Sequence, residues 1–258
     1  MDQLFQHFRE EERIFLEKVL GWKQQVEETY SHKLTDFLDP REQDMTEAVI
    51  GSSQEVKVMF FGGHPNVERK RAILYPDYFN PEEDDFQVSL FKIQYPDKFI
   101  SIEHRQVLGS LLSLGLDRAK FGDILFHENQ VQLAAAKEYE PFLLMNFHEI
   151  GKSKISLIPI AFSEIIEPKE EIQEMSSTVS SLRLDAVAAA IYNLSRQKVQ
   201  SLISGGAVKV NFRVVEQTSF LCREGDTLSI RGYGRSKLVS IEGKTKKEKI
   251  RIIAGRQK

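Results

Sequence analysis

Apolar residues recur every three to four positions through the first fifty residues, and this spacing predicts helices. The periodic positions of the first helix are Phe5, Phe8, Ile14, Phe15, Val19, Trp22 and Val26. The apolar segment from Lys33 to Leu38 is assigned to the same helical region. Asp39 and Pro40 predict the N-cap and the first position of another helix, which ends at Gly51. A short apolar strand is predicted from Val56 to Phe61.

The segment that follows this strand combines turn residues, charges and aromatics. Gly62 to Pro65 predicts a tight turn at the strand exit, since it lacks the spacing and the Lys of a phosphate-binding P-loop. Glu68 to Arg71 is mostly basic and precedes an aromatic stretch, Tyr75 to Phe79. Basic residues beside aromatics can bind RNA. They can equally form a solvated helix face followed by a packed aromatic loop, and both interpretations stay open.

Residues 86–160 switch between strand and helix periodicity. The predicted elements are strand Val88–Tyr95, helix Glu103–Leu116, strands Ile124–Phe126 and Val131–Ala135, helix Lys137–Ile150 and strand Ile155–Ile160. This order is the split ferredoxin-like plan that RNA-recognition (RRM) domains share, although the aromatic sheet motifs of those domains are not evident. Val107, Leu108, Leu111, Leu112 and Leu114 form the predicted core side of the first helix. Gly122 to Ile124 is predicted to be a turn leading into a strand.

The densest pattern lies from Ser181 to Ile230. A first helix is predicted with its buried face at Leu184, Val187, Ala188, Ile191 and Leu194. Asn193 interrupts the pattern, and Ser195 is a good N-cap for a second helix, which Gly205 ends. That helix turns Val199, Leu202 and Ile203 inward and Arg196, Lys198 and Gln200 largely outward. Val208 and Val210 alternate with polar residues, as in a half-buried strand.

Charge changes this picture, because the net charge of −3 hides a strong asymmetry. Residues 181–258 contain 16 Lys and Arg against 6 Asp and Glu, whereas the first 180 residues contain 19 against 32. A basic segment on an acidic body is the electrostatic pattern of a nucleic-acid-binding protein. The C-terminal part is therefore expected to contact RNA.

Other residue types restrict the function class. Cys222 is the only cysteine, which excludes an internal disulfide and a multi-cysteine zinc site and suits a reducing cytosol. No apolar run approaches the length of a membrane span, and the N-terminus has no secretory pattern, so we expect a cytoplasmic protein. The six His are scattered, and the P-loop, the Rossmann glycine motif and H-E-x-x-H are missing. We expect no catalytic residue, no metal and no cofactor.

Several short strings of the C-terminal part resemble the S4 RNA-binding domain. They are R-L-D at 183–185, S-R at 195–196, a Gly turn before V-x-V-N at 208–211, and G-D at 225–226. The candidate RNA-binding residues are Arg183, Ser195, Arg196, Lys198, Gln200, Lys209, Asn211, Arg213, Arg235 and Lys237. Phe212 stands where many S4 domains have Gly, so a wider turn is expected, with an aromatic face available to a base. Asp185 is expected to pair with Arg183 or to cap the first helix.

Longer strings resemble the bacterial YlmH family over nearly the whole chain. They are LTDFLDPRE at 34–42, LGSLLSLGLDR at 108–118 and FGDI at 121–124. The resemblance implies an α+β protein with a mainly helical N-terminal domain (1–80), an RRM-like domain (81–165) and an S4 domain (181–258). Residues 166–180 are a linker or an extended strand closing the middle domain.

The same resemblance implies a non-enzymatic RNA-binding protein that assists ribosome-associated quality control. The implied partners are rRNA and tRNA on the large ribosomal subunit, where members assist untemplated tail addition to stalled nascent chains. The acidic N-terminal body would bind quality-control or division proteins, since the family also carries a cell-division label. The alternatives are a cell-division adaptor or an RNA-modifying enzyme of the pseudouridine-synthase type. The latter class uses a catalytic Asp, but in a larger domain that follows S4.

Overall fold

The computed structural model describes residues 10–51, 53, 55–168, 172–244 and 248–257. By their contacts these residues divide into two compact units, Met1–Pro168 and Lys169–Lys258. Phe5 and Phe8, which belong to the predicted first helix, lie outside the described residues.

The first part of unit one packs two helices on a three-stranded sheet. Its elements are α1 (Glu10–Thr29), β1 (Lys33–Leu38), α2 (Pro40–Ile50), β2 (Val56–Phe61) and β3 (Lys70–Pro76). The strand order is β1-β3-β2, with antiparallel neighbours. The core between helices and sheet contains Leu16, Val19, Val26, Leu38, Met45, Val49, Ile50, Val56, Ala72 and Leu74.

The start of α2 confirms the predicted cap. Asp39 Oδ1 accepts from the Glu42 amide at 2.9 Å, and Glu42 Oε2 accepts from the Asp39 amide at 2.7 Å, so the two residues form a capping box. The predicted turn after β2 is also present. At Gly62 a Cβ would lie 2.4 Å from the Arg69 carbonyl oxygen, so this close approach of two chain segments requires glycine.

Two predictions for this region are wrong. Lys33–Leu38 is strand β1 rather than part of the helical region, because its buried side chains include Thr35 and Phe37, two positions apart. The charged segment before the aromatics is not a helix face, since β3 begins at Lys70 and runs between β1 and β2.

The second part of unit one has the predicted ferredoxin-like order. Its elements are β4 (Val88–Gln94), α3 (His104–Ser113), β5 (Phe121–His127), β6 (Gln130–Ala136), α4 (Glu140–Asn146), β7 (Glu149–Ile150), β8 (Ser153–Lys154) and β9 (Ser156–Ile160). The antiparallel sheet has the order β5-β6-β4-β9. The predicted second helix is shorter than expected, because residues 149–150 form a strand. Leu112, expected on the core side of α3, is 40% exposed, whereas Val107 and Leu111 are buried.

Both faces of this sheet are covered. One face packs on α3 and α4 through Phe91, Ile93, Leu133 and their neighbours. The other face packs Val88, Leu90, Ala134 and Ala136 against Phe37 and Ile73 from the first sheet. The two parts of unit one therefore share a core.

Unit two packs two helices on a six-stranded antiparallel sheet. Its elements are β10 (Ile172–Val179), α5 (Leu184–Tyr192), α6 (Arg196–Ser204), β11 (Val208–Val210), β12 (Arg213–Val214), β13 (Thr227–Ile230), β14 (Gly234–Lys244) and β15 (Ile250–Gln257). The strand order is β10-β15-β14-β13-β11-β12. The expectation of a strand closing the middle domain is wrong, because β10 pairs along its length with β15.

The helix boundaries of unit two follow the sequence signals. Asn193 ends α5 in the left-handed conformation, with φ of 53°. Ser195 Oγ accepts from the Lys198 amide at 3.2 Å and so caps α6, which ends at Gly205. The helices pack on the sheet through Leu184, Val187, Ile191, Val199, Ile203, Val208, Val210, Leu228 and Ile230.

Candidate RNA-binding surface

Asp185 organises the helical part of the candidate surface. Its side chain is 0% exposed, and its carboxylate oxygens accept hydrogen bonds from the residue before α5 and from two residues of α6. Arg183 Nε donates at 3.2 Å, Arg196 Nη2 at 2.8 Å and Gln200 Nε2 at 2.9 Å. The first of the two expectations for Asp185, pairing with Arg183, is confirmed. The contacts with α6 were not predicted, because they depend on how the two helices pack.

The charge of Asp185 is stabilised by these donors. Burial acts to raise the pKa of the carboxyl, but the hydrogen bonds from Arg183, Gln200 and Arg196 outweigh burial and hold the pKa at about 2. Asp185 is therefore ionised at neutral pH. It holds both guanidinium groups in place without neutralising the basic character of the surface around them.

The side chains of Arg183 and Arg196 are partly exposed, although Asp185 fixes one edge of each guanidinium group. Their side chains are 39% and 50% exposed. A guanidinium has five N–H donors in a planar fork, so binding Asp185 leaves donors for a further acceptor. Gln200 is exposed, as predicted, and is also fixed by Asp185. Two preorganised cations beside a helix N-terminus suit a phosphate group.

Ser195 and Lys198 are the other candidate residues at the start of α6, and with Arg183, Arg196 and Gln200 they form the helical set of candidate residues. The Ser195 hydroxyl oxygen caps α6, so its observed partner is the backbone of its own helix. The Lys198 side chain is exposed in the first turn of α6. RNA contacts by both residues stay predictions.

A tight turn, and not the expected wider one, joins β11 and β12. Asn211 and Phe212 have φ of 49° and 66°, and the flanking Val210 and Arg213 pair directly. Two central residues with positive φ make the two-residue hairpin turn whose twist matches the strands. Phe212 therefore occupies a left-handed position that favours Gly.

The side chain of Asn211 explains why the V-x-V-N and G-D strings belong together. Asn211 Nδ2 donates to Asp226 Oδ1 at 2.8 Å, and Asn211 Oδ1 accepts from the Thr227 amide at 2.8 Å. Asp226 Oδ2 also accepts from the Arg223 amide at 2.7 Å. Asn211 thus fixes the hairpin turn to β13, and its RNA contact stays a prediction.

The remaining candidate residues lie on the sheet. Lys209 is opposite Ser229, which is opposite Arg235, so the three share one face. Lys237, opposite Thr227, lies two positions further along on the same face. Since the alternating Val208 and Val210 are buried under the helices, this outer face points away from α5 and α6. Arg213 is opposite Val210 and so lies on the other face of the sheet, and Asn211 lies in the turn between them. The other candidate residues form a helical set (Arg183, Ser195, Arg196, Lys198 and Gln200) and a sheet set (Lys209, Arg235 and Lys237).

The RRM-like sheet does not offer the face on which RRM domains stack bases. The N-terminal sheet covers part of that face, and residues 161–166 cover another part. Gln132, on β6, holds this covering segment by donating to the Glu164 carbonyl at 2.8 Å and accepting from the Ile166 amide at 2.7 Å.

The arginines at 69 and 71 serve the fold. Arg71 is 4% exposed and donates to the Thr35 carbonyl, the Gln87 carbonyl and the Glu138 carboxylate. Arg69 donates to the carbonyls of Phe121 and Phe37. Both guanidinium groups therefore bind groups of the first unit, which does not favour the interpretation of this segment as an RNA-binding site.

Asp123 also has a structural environment. It lies inside β5, so the prediction of a turn leading into the strand is wrong. Its carboxylate accepts from the backbone amides of Glu68 at 2.7 Å and Arg69 at 3.1 Å. Burial raises the pKa of Asp123, and the two amide donors oppose that effect.

We expect Asp123→Ala to lower the free energy of unfolding of the first unit by about 2 kcal/mol, because two half-buried backbone amides lose a charged acceptor. RNA affinity should stay unchanged. Urea denaturation and an RNA-binding titration check the two outcomes, with Asp117→Ala, at an exposed position, as the control. Loss of RNA binding by a stably folded Asp123→Ala protein would indicate a functional carboxylate instead.

The described part of the chain contains no cluster of three or more His, Cys, Asp or Glu side chains arranged to hold a metal ion. Burial raises the pKa of the Cys222 thiol to about 12, so the thiol stays protonated. Among the helices that the structure describes, none is long and apolar enough to cross a membrane.

Comparison with known proteins identifies three parts of the chain. Family models match residues 11–79 ("YlmH, N-terminal"), 81–164 ("Putative RNA-binding domain in YlmH") and 182–228 ("S4 domain"). The fold and the S4 match thus define an α+β protein with an S4 RNA-binding domain. The chain belongs to the YlmH family.

Two relatives illustrate this membership. The chain is 49% identical over 258 residues to ribosome-associated protein quality control protein P2 of Bacillus subtilis (strain 168), covering 100% of both chains. It is 33% identical to the solved structure of cell division protein ylmH from Streptococcus pneumoniae. That match covers 62% of this chain and 98% of the other, with a TM-score of 0.56.

Proposed function

We propose that this protein is a non-enzymatic factor of ribosome-associated quality control, which binds rRNA and tRNA on the large ribosomal subunit. It acts in the cytoplasm during untemplated tail addition to stalled nascent chains, and it uses no metal or cofactor. Its contribution is to hold RNA in one geometry. The acidic first unit binds protein partners that act in the same quality-control process.

The observation that carries the proposal is the pair of exposed guanidiniums fixed on Asp185. Arg183 and Arg196 are held by a buried carboxylate at the start of two helices, which suits phosphate recognition. The Bacillus subtilis relative, identical at 49% of positions, is named as a ribosome-associated quality control protein. Together these observations support RNA on the ribosome as the ligand.

We expect the double variant Arg196→Ala/Lys198→Ala to lose co-sedimentation with large ribosomal subunits in sucrose gradients. Two fewer phosphate contacts should also reduce the slope of log affinity against log salt by about 2 in an RNA titration. The matched control, Arg105→Ala/Lys57→Ala, removes the same two residue types from exposed positions of the first unit.

The same gradients and an analysis of modified nucleotides separate the alternative functions. A cell-division adaptor would leave wild type at the top of the gradient, away from both subunits. An RNA-modifying enzyme would be revealed by a specific modified nucleotide that disappears when the gene is deleted. Co-sedimentation of the double variant at the wild-type level would contradict the proposed role of the helical set.

A further inference from the structure

We propose that Phe212 and Arg235 form a stacking site for one unpaired RNA base on the outer face of the unit-two sheet. This inference rests on the proposed RNA-binding function and deepens it. It assigns base contact to the sheet set, in addition to the phosphate contacts of the helical set.

The backbone at Phe212 is the first observation. Its φ of 66° is in the left-handed region, which Gly adopts freely and a bulky side chain adopts only at a free-energy cost. Phe212 is neither in the core of unit two nor among the apolar side chains that pack on it. Core packing therefore does not explain an aromatic residue in a turn that Gly would form more easily.

The contact with Arg235 is the second observation. The Arg235 guanidinium carbon lies 4.9 Å from the centroid of the Phe212 ring, in cation–π geometry. Arg235 reaches the ring from β14, whereas the ring stands on the β11–β12 turn. The turn is itself fixed by the Asn211 hydrogen bonds to Asp226 and Thr227. The ring and the guanidinium are therefore positioned before any ligand binds.

The surrounding charges indicate the kind of ligand. Lys209 and Lys237 lie on the same sheet face as Arg235, where they suit the phosphates on either side of a stacked base. Aromatic and basic side chains combined in this way hold single-stranded RNA. A duplex keeps its bases inside the helix, so the ligand is a base in a loop, a bulge or a single strand.

The test measures the affinity of the full-length protein for two RNA probes by fluorescence anisotropy at one salt concentration. One probe is a hairpin with an unpaired loop, and the other is a fully paired duplex of the same length. Phe212→Leu keeps an apolar side chain of similar size without a π face. We expect it to bind the hairpin about tenfold more weakly and the duplex as wild type does. Phe212→Tyr keeps the π face and should bind the hairpin as wild type does.

Phe212→Gly separates stacking from a structural role. It removes the backbone strain, so its melting temperature should equal or exceed that of wild type, while hairpin affinity still falls. The inference is overturned if Phe212→Leu binds the hairpin as wild type does, or if it loses hairpin and duplex equally. Wild type that binds neither probe would overturn the proposed function as well, whereas unchanged variants beside a binding wild type overturn only the stacking site.

Discussion

Asp185→Asn is expected to destabilise unit two by about 3–5 kcal/mol and to weaken RNA binding at least about tenfold. The amide keeps the size of the carboxyl but removes the buried charge that Arg183 and Arg196 share. The two cations then lose their fixed positions. Denaturant unfolding at pH 7 gives the stability, and titration under folding conditions gives the affinity.

This prediction distinguishes the positioning of the two arginines by Asp185 from an effect of net charge alone. Asp185→Asn raises the net charge by one, so an account based only on charge predicts tighter RNA binding. Glu216→Gln is the matched control, because it makes the same charge change at an exposed position of the same unit. We expect the control to bind at least as tightly as wild type. Equal affinities of the two folded variants would contradict a positioning role for Asp185.

The pH dependence of stability provides an independent check. The folded-state pKa of Asp185, about 2, lies below the ordinary value of 3.8. A depressed pKa stabilises the folded protein above the unfolded-state value, and this stabilisation is lost as pH falls through the folded-state value. The free energy of unfolding of wild type should therefore fall between about pH 4 and pH 2. Asp185→Asn has no carboxyl at this position and should not show this contribution to the fall.

Much of unit two could be predicted from the sequence, because its signals are local. Ser195 and Gly205 mark the ends of α6, and the spacing of apolar residues gives its buried face. The link from Asp185 to Gln200 could not be predicted, since it joins residues 15 apart across a helix crossing. The division of the candidate residues into two sets was equally hidden, because it depends on strand pairing.

Strand β3 was missed for a related physical reason. The charge of Arg71 predicts a solvent-exposed side chain when only the neighbouring sequence is considered. In the structure the side chain is buried in the middle strand of a sheet. Its compensation comes from Thr35, which is 36 residues away, and from Glu138, which is 67 residues away. A buried cation is tolerated only with such partners, and no local pattern identifies them.

Arg71→Ala is expected to destabilise unit one by about 3–4 kcal/mol, the largest effect predicted for that unit, because the hydrogen-bond network of a buried side chain is broken. The substitution removes the side-chain donor of the buried Thr35 carbonyl and a second donor of the Gln87 carbonyl, which keeps its bond from the Lys137 amide, and it opens space between the two sheets. Arg105→Ala, at a side chain that is 83% exposed, is the matched control and should leave stability unchanged.

The same variant tests whether Arg71 binds RNA or stabilises the fold. If Arg71 served RNA, its removal would weaken RNA binding with little loss of stability, since an exposed cation contributes little to folding. The contacts with Thr35, Gln87 and Glu138 predict the opposite result. Thermal unfolding should shift to lower temperature, while RNA affinity, measured well below that transition, should equal that of Arg105→Ala. A folded Arg71→Ala protein with wild-type stability and reduced RNA affinity would contradict this prediction. It would indicate that unit one contributes to the RNA-binding surface.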